Sequence, residues 1–126
     1  MTGLLVALLI ASGEPTKHER CLAKVIHYES RGESFRGKVA TRDVVKNRMR
    51  KTGKTCKEVV YEKRQFSWTA KPHKNVVKKR YRKVLKAEPV LGKEYLWFFR
   101  HDIVKPAWSK NLRCDKRVDK HLYCRV

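Results

Sequence analysis

Between Thr16 and Lys51 the apolar residues recur at helical spacing, with one interruption at Gly32. A chain patterned this way builds its body from consecutive amphipathic helices. The first is expected over Lys17–Ser30. Thr16 is placed to cap it, with Glu19 as the capping-box partner, and Leu22, Val25 and Ile26 face inward. Seven residues beyond Leu22 stands Glu29, so an acid continues the apolar stripe. Gly32 is expected to end this helix. The second runs over Phe35–Lys51, capped by Ser34, with Val39, Ala40, Val44, Val45 and Met49 forming a broad apolar face that stops at Lys51-Thr52-Gly53.

A short third helix is expected over Cys56–Tyr61, followed by "RQFSWT", which reads as a loop or short strand. A fourth runs from His73 to about Ala87 with Val76, Val77, Tyr81, Val84 and Leu85 inward, and Pro89 ends it. The last third changes character: "EYLWFFR" and "KHLYCRV" are strand-like, joined through "KPAWSKNLRCDKR". Trp108, in that connection, reads as a core residue. The chain of 126 residues fits one domain. Its hydrophobic fraction of 41% argues for a folded core rather than a disordered basic tail. The fold class is α+β: a mostly helical body with a small C-terminal antiparallel β element.

Lys and Arg number 32 against 12 Asp and Glu, a formal net charge of +20. Such a field draws polyanions: nucleic acid, an anionic membrane surface, or anionic envelope polymers. The densest run, residues 71–86, is either a solvated helix face or a docking face. The cysteines, Cys21, Cys56, Cys114 and Cys124, include no C-x-x-C pair, so no metal site is expected. An even count suits disulfides in an oxidising compartment, with Cys21–Cys56 and Cys114–Cys124 the expected pairs and four buried thiols the alternative. The apolar run of residues 3–11 would rise only about 14 Å as a helix, against the ~30 Å of a bilayer core. Residues 1–13 are read as an export signal or weak anchor, or else as a core helix, ahead of a domain spanning 17–126.

Within "HYESRGES", residues 27–34, two acids interrupt this basic chain. Glu29 sits inward, near a helix C-terminus. Burial and the negative end of the helix dipole both disfavour its carboxylate and raise its pKa, as a general acid needs. Pairing with Arg31 or Arg36 would oppose that shift and make Glu29 an ordinary helix-end salt bridge. Glu33, past the glycine, is expected to be exposed or tied to an arginine.

Residues 21–49, "CLAKVIHYESRGESFRGKVATRDVVKNRM", resemble the opening of the SleB-type cell wall hydrolases, a family of spore-cortex-lytic enzymes and phage and bacterial envelope proteins. Its Glu-Ala-Arg-Gly-Glu stretch, Gly-Gln-Val-Ala step and Asn-Arg closing pair occur here as Glu29 to Glu33, Gly37 to Ala40, and Asn47-Arg48. The resemblance continues through "TCKEVVYEKRQFSW", "DIVKPAW" and "DKHLYCRV", covering roughly residues 20–126. Ser30 replaces the usual Ala. Phe99 and Arg100 stand where an aromatic hydroxyl and a His are common, and Asp119 stands where Gly is preferred.

The resemblance implies a lysozyme-like fold and cleavage of the β-1,4 bond between N-acetylmuramic acid and N-acetylglucosamine, by lytic transglycosylation or as a muramidase. It maps the catalytic acid onto Glu29 and needs no cofactor. A two-carboxylate glycosidase would require a partner about 5–9.5 Å away, for which Glu33, Asp43 and Asp102 are the candidates. Gln65, Ser67 and Trp68 could line the glycan groove, with Trp68 a sugar-stacking face. Glu33, Asn47 and Arg48 would support the site. The expected partner is the peptidoglycan glycan strand, with envelope polymers or a membrane surface at the basic face, and the chain is expected to act as a monomer. The expected location is the periplasm or cell wall, including action of a phage-encoded protein on its host in cell lysis. The competing readings are a basic nucleic-acid-binding module, though no known signature of one is present, and a membrane-active protein without catalysis.

Overall fold

The computed structural model describes residues 14–62, 66–74 and 79–126; the apolar run 3–11, Gln65, Val76 and Val77 lie outside them. Among the described residues four α-helices precede a small sheet: α1 Lys17–Ser30, α2 Phe35–Thr52, α3 Cys56–Val60 and α4 Lys79–Lys86. Strands β1 Trp97–Arg100, β2 Arg113–Val118 and β3 His121–Arg125 form an antiparallel sheet in the order β1-β3-β2.

Local chemistry sets the helix ends. Thr16 Oγ1 accepts from the Glu19 amide at 3.1 Å while the Thr16 amide donates to Glu19 Oε1 at 3.0 Å, a complete capping box. Thr55 and Glu58 repeat it at α3. Ser34 caps α2, accepting from the Gly37 amide at 3.1 Å. At the far end Gly53 takes the left-handed conformation, φ 71°, which a side chain would oppose.

Helix α2 is the centre of the molecule. Val45 packs with Leu22 and Val25 of α1 and with Cys56, Val59, Val60 and Phe66. Val39 meets Ala23, Ile26, Tyr81 and Val84. Ala40 and Val44 meet Leu91, Val118 and Tyr123 of the C-terminal part. Covered on three sides, α2 also buries charge: Arg42 and Asp43 are 1% and 3% exposed and pair at 2.6 Å.

The structure departs from sequence expectation at several places. Of the two readings of "RQFSWT", a loop or a short strand, the described part takes the loop, entering a 3₁₀ turn at Ser67–Ala70. His73 precedes the fourth helix instead of starting it. The connection between the two expected strands supplies a third, β2, and a 3₁₀ turn at Ala107–Asn111. Four of the six β2 residues are charged and the strand alternates in exposure, so pairing with β3 makes the strand, rather than intrinsic preference. Gly32 ends α1 without a positive φ, and a Cβ there would meet nothing within 4 Å; it is no left-handed cap. Trp108 is 44% exposed, edge-on to Phe99, and is not core.

Disulfides join Cys21 to Cys56, tying α1 to α3, and Cys114 to Cys124, across β2 and β3. The first closes the longer loop, with a sequence separation of 35. Replacing Cys21 and Cys56 by Ser is expected to lower stability by roughly 4 kcal/mol, measured as the shift of the denaturant midpoint. An equal or smaller loss than for Cys114 and Cys124 would contradict this ranking.

Candidate active site

The α1–α2 turn faces the tip of the sheet across a cleft of about 360 Å³. Residues Tyr28 to Glu33 form one wall; Arg100 and Lys120 form the other. The turn is fastened to the β2–β3 hairpin. Asp119 Oδ2 accepts from the Ser34 amide at 2.9 Å and from its hydroxyl at 2.6 Å. Those bonds hold the Asp119 carboxyl below the usual carboxylate range. Asp119 has φ 52°, a left-handed conformation that accounts for the family's Gly at this point; here the bonds to Ser34 offset the strain. Gly37 is required by the same junction, since a Cβ would lie 2.4 Å from Asp119 Oδ2 and 2.9 Å from Glu33 Cβ.

Glu29 is the penultimate residue of α1 and opens on this cleft. Burial raises its pKa from 4.5 to about 7, opposed by the Trp68 indole. Neither Arg31 nor Arg36 pairs with it, and among the described residues it makes no salt bridge. Trp68 Nε1 is buried with no partner in hydrogen-bond geometry. It is nevertheless near enough to Glu29 to favour the carboxylate, so it is an underused donor aimed at the acid. Trp68 stacks on Tyr28, ring centroids 4.9 Å apart and planes 20° apart. His73 meets the Trp68 edge at 5.1 Å. Lys24 Nζ donates to His73 Nδ1 at 3.1 Å, which turns Nε2 toward the Tyr61 hydroxyl at 3.0 Å.

Glu33 lies in the same cleft but is neither exposed nor tied to an arginine. Its side chain is 9% exposed and one oxygen stands 3.0 Å from His121 Nδ1, outside hydrogen-bond alignment. Burial first, then the Arg100 charge, push His121 down to about 4, so the ring is neutral at pH 7. Arg100 is held by Asp102 through two contacts, 3.1 and 2.5 Å.

A family model of cell wall hydrolases matches residues 32–124. The chain belongs to this family. Cell wall hydrolases cleave peptidoglycan, and the chain is such an enzyme. Its structure is similar to the catalytic domain of the germination-specific lytic transglycosylase SleB from Bacillus anthracis, at TM-score 0.71 and 25% identity over 90% of this chain and 98% of that one. It is similar also to the catalytic domain of the Bacillus cereus SleB protein, at TM-score 0.68 and 25% identity over 90% and 94%. No curated protein matches it. The lysozyme-like architecture is therefore that of the cell wall hydrolases.

Within this hydrolase the structure gathers Glu29, Glu33 and Trp68 and, among the other described candidates, sets Ser67, Asn47 and Arg48 apart from them. Ser67 is exposed beside Trp68 and outside the cleft lining. Asn47 Nδ2 donates to the Gly92 and Tyr95 carbonyls at 3.0 and 2.9 Å, bracing the segment that leads into β1. Arg48 pairs with Glu62 at 3.9 Å and lines an aromatic groove with Trp97 and Trp108 instead of the cleft. Asp43 is locked to Arg42. Lys120 and His121 were not anticipated from sequence; the inward alternation of His121 and Tyr123 was the available signal for His121. No three-residue His, Cys, Asp or Glu cluster able to hold a metal occurs among the described residues. No described helix is long and apolar enough to cross a membrane.

Proposed function

We propose that this hydrolase cleaves the N-acetylmuramic acid–N-acetylglucosamine β-1,4 bond as a lytic transglycosylase, with Glu29 as its single general acid and base. The observation that carries this is a half-buried carboxyl in the cleft with no salt-bridge partner among the described residues, lifted to about 7. Such a group is protonated often enough at neutral pH to give a proton and basic enough to take one back. The Glu29 proton passes to the bridging oxygen as that oxygen's bond to the muramyl C1 breaks. The C6 hydroxyl oxygen of the same sugar then bonds to C1, its proton returns to Glu29, and a 1,6-anhydro ring closes. No water is consumed and no second carboxylate is needed. The other candidates agree with that: Asp43 is locked in a buried pair, Asp102 holds Arg100, and Glu33 abuts His121. Tyr28 and Trp68 offer stacked rings beside the acid on which a sugar face can rest.

The setting we propose is cell wall degradation outside the cytoplasm, where disulfides persist, including lysis of a host cell. The net charge of +20 would hold the enzyme to anionic envelope polymers.

Trp68→Phe tests the acid directly. It keeps a ring on Tyr28 but removes the N–H that lowers the Glu29 pKa. The alkaline limb of kcat/KM, expected near 7 in the native enzyme, should move to higher pH. An unmoved or lowered limb would separate Glu29 from the titration that controls the rate.

A further inference from the structure

Trp68, whose indole approaches Glu29, also lines a second, larger cavity of about 580 Å³. Its floor is apolar: Met49, the Cys21–Cys56 disulfide and the Trp68 ring. Its walls carry Lys17, Arg20, Lys24 and Lys57, and no Asp or Glu lines it. Arg20 donates to the Pro15 carbonyl. Among the described residues none of Lys17, Lys24 or Lys57 forms a salt bridge, and residues 1–13, 63–65 and 75–78 contain no acid that could supply one. The acids nearest in sequence are committed to their own helices, Glu19 to Thr16 and Glu58 to Thr55. Burial and the charge of Lys57 hold the Lys24 ammonium below its usual pKa, so these cations crowd one another.

An uncompensated ring of cations over an apolar floor asks for an anion with some apolar body. The cavity and the Glu29 cleft share one partition, the Tyr28–Trp68 stack, with Trp68 lining the first and Tyr28 the second. A ligand here would be continuous with the glycan in the cleft. Peptidoglycan carries carboxylates on the stem peptides of its muramyl sugars. We propose that this cavity is a stem-peptide site, in which Lys17, Lys24 and Lys57 receive the carboxylates of the substrate strand whose glycan lies at Glu29. This rests on the proposed glycan placement.

The test is binding of the Glu29→Gln protein to insoluble peptidoglycan, with and without Lys17→Ala and Lys57→Ala together. Both lysines are exposed and neither belongs to the Glu29 cleft. The lysine pair is expected to matter about tenfold in Kd on native peptidoglycan and not at all once the stem carboxylates are amidated. Lys93→Ala with Lys110→Ala, the same change in net charge elsewhere on the surface, should shift Kd less than twofold. Three results would overturn the proposal: no loss on native peptidoglycan, an equal loss on the amidated form, or an equal loss in the control pair. A loss that disappears when phosphate polymers are stripped from the wall would also overturn it, in favour of a phosphate ligand. Binding is read in the cold over times too short for turnover, so an active Glu29→Gln protein would refute the catalytic assignment and leave this result standing.

Discussion

Glu29→Gln is expected to lower glycan cleavage about a thousandfold, the usual scale of a lost general acid, while binding to peptidoglycan is retained. The amide fits the same space and keeps a polar contact for the Trp68 indole but cannot give up a proton to the leaving oxygen. The same substitution has a second signature. A carboxyl whose pKa is raised by folding contributes least stability when ionised. The native enzyme therefore loses stability as pH rises from about 4.5 through about 7, up to roughly 3 kcal/mol for that shift. Glu29→Gln removes this dependence, so its melting temperature relative to native should rise across that window, with the larger difference at pH 8 than at pH 4. A constant difference would mean that the carboxyl titrates in the folded protein much as it does in water.

Arg42→Met is expected to cost as much stability as losing the Cys21–Cys56 disulfide. Arg42 reaches across to α4 and its exit, donating to the Val84 and Ala87 carbonyls at 2.7 and 2.6 Å. It also neutralises Asp43, whose other oxygen accepts from the Val90 and Leu91 amides at 2.8 and 3.1 Å. A methionine fills the volume but strands a buried carboxylate and two buried carbonyls. The expected cost is about 3–5 kcal/mol, or roughly 10–20 °C in melting temperature. A loss below about 1 kcal/mol would show that water reaches Asp43.

Where a feature depended on neighbours in sequence, it was legible. Thr16 and Ser34 cap their helices through bonds three residues long, and Glu29 follows Leu22 on one helical stripe. The aromatic strands at 97–100 and 121–125 announced themselves by composition. Where a feature is made by distant residues, pattern could not supply it. Strand β2 is mostly charged and exists through its pairing with β3 and the Cys114–Cys124 link. Asp119 was visible as a departure from glycine, but its bond to Ser34 spans 85 residues. Glu33 looked like a surface acid because its cover, His121, arrives from the last strand. From sequence Asp43 reads only as a candidate second carboxylate; its burial with Arg42 is not legible, because nothing local says that α2 is enclosed. The cleft follows the same division: one wall is a single continuous stretch and could be read, while the other, Arg100 and Lys120, comes from the sheet.

In the proposed reaction one carboxyl, Glu29, drives an intramolecular ring closure. Mass spectrometry of the fragments released from purified peptidoglycan tests it most directly. The native enzyme should leave 1,6-anhydro muramyl ends, and Glu29→Gln should release almost none. Reducing ends in place of anhydro ends, or the same fragments in the same yield from the variant, would contradict it.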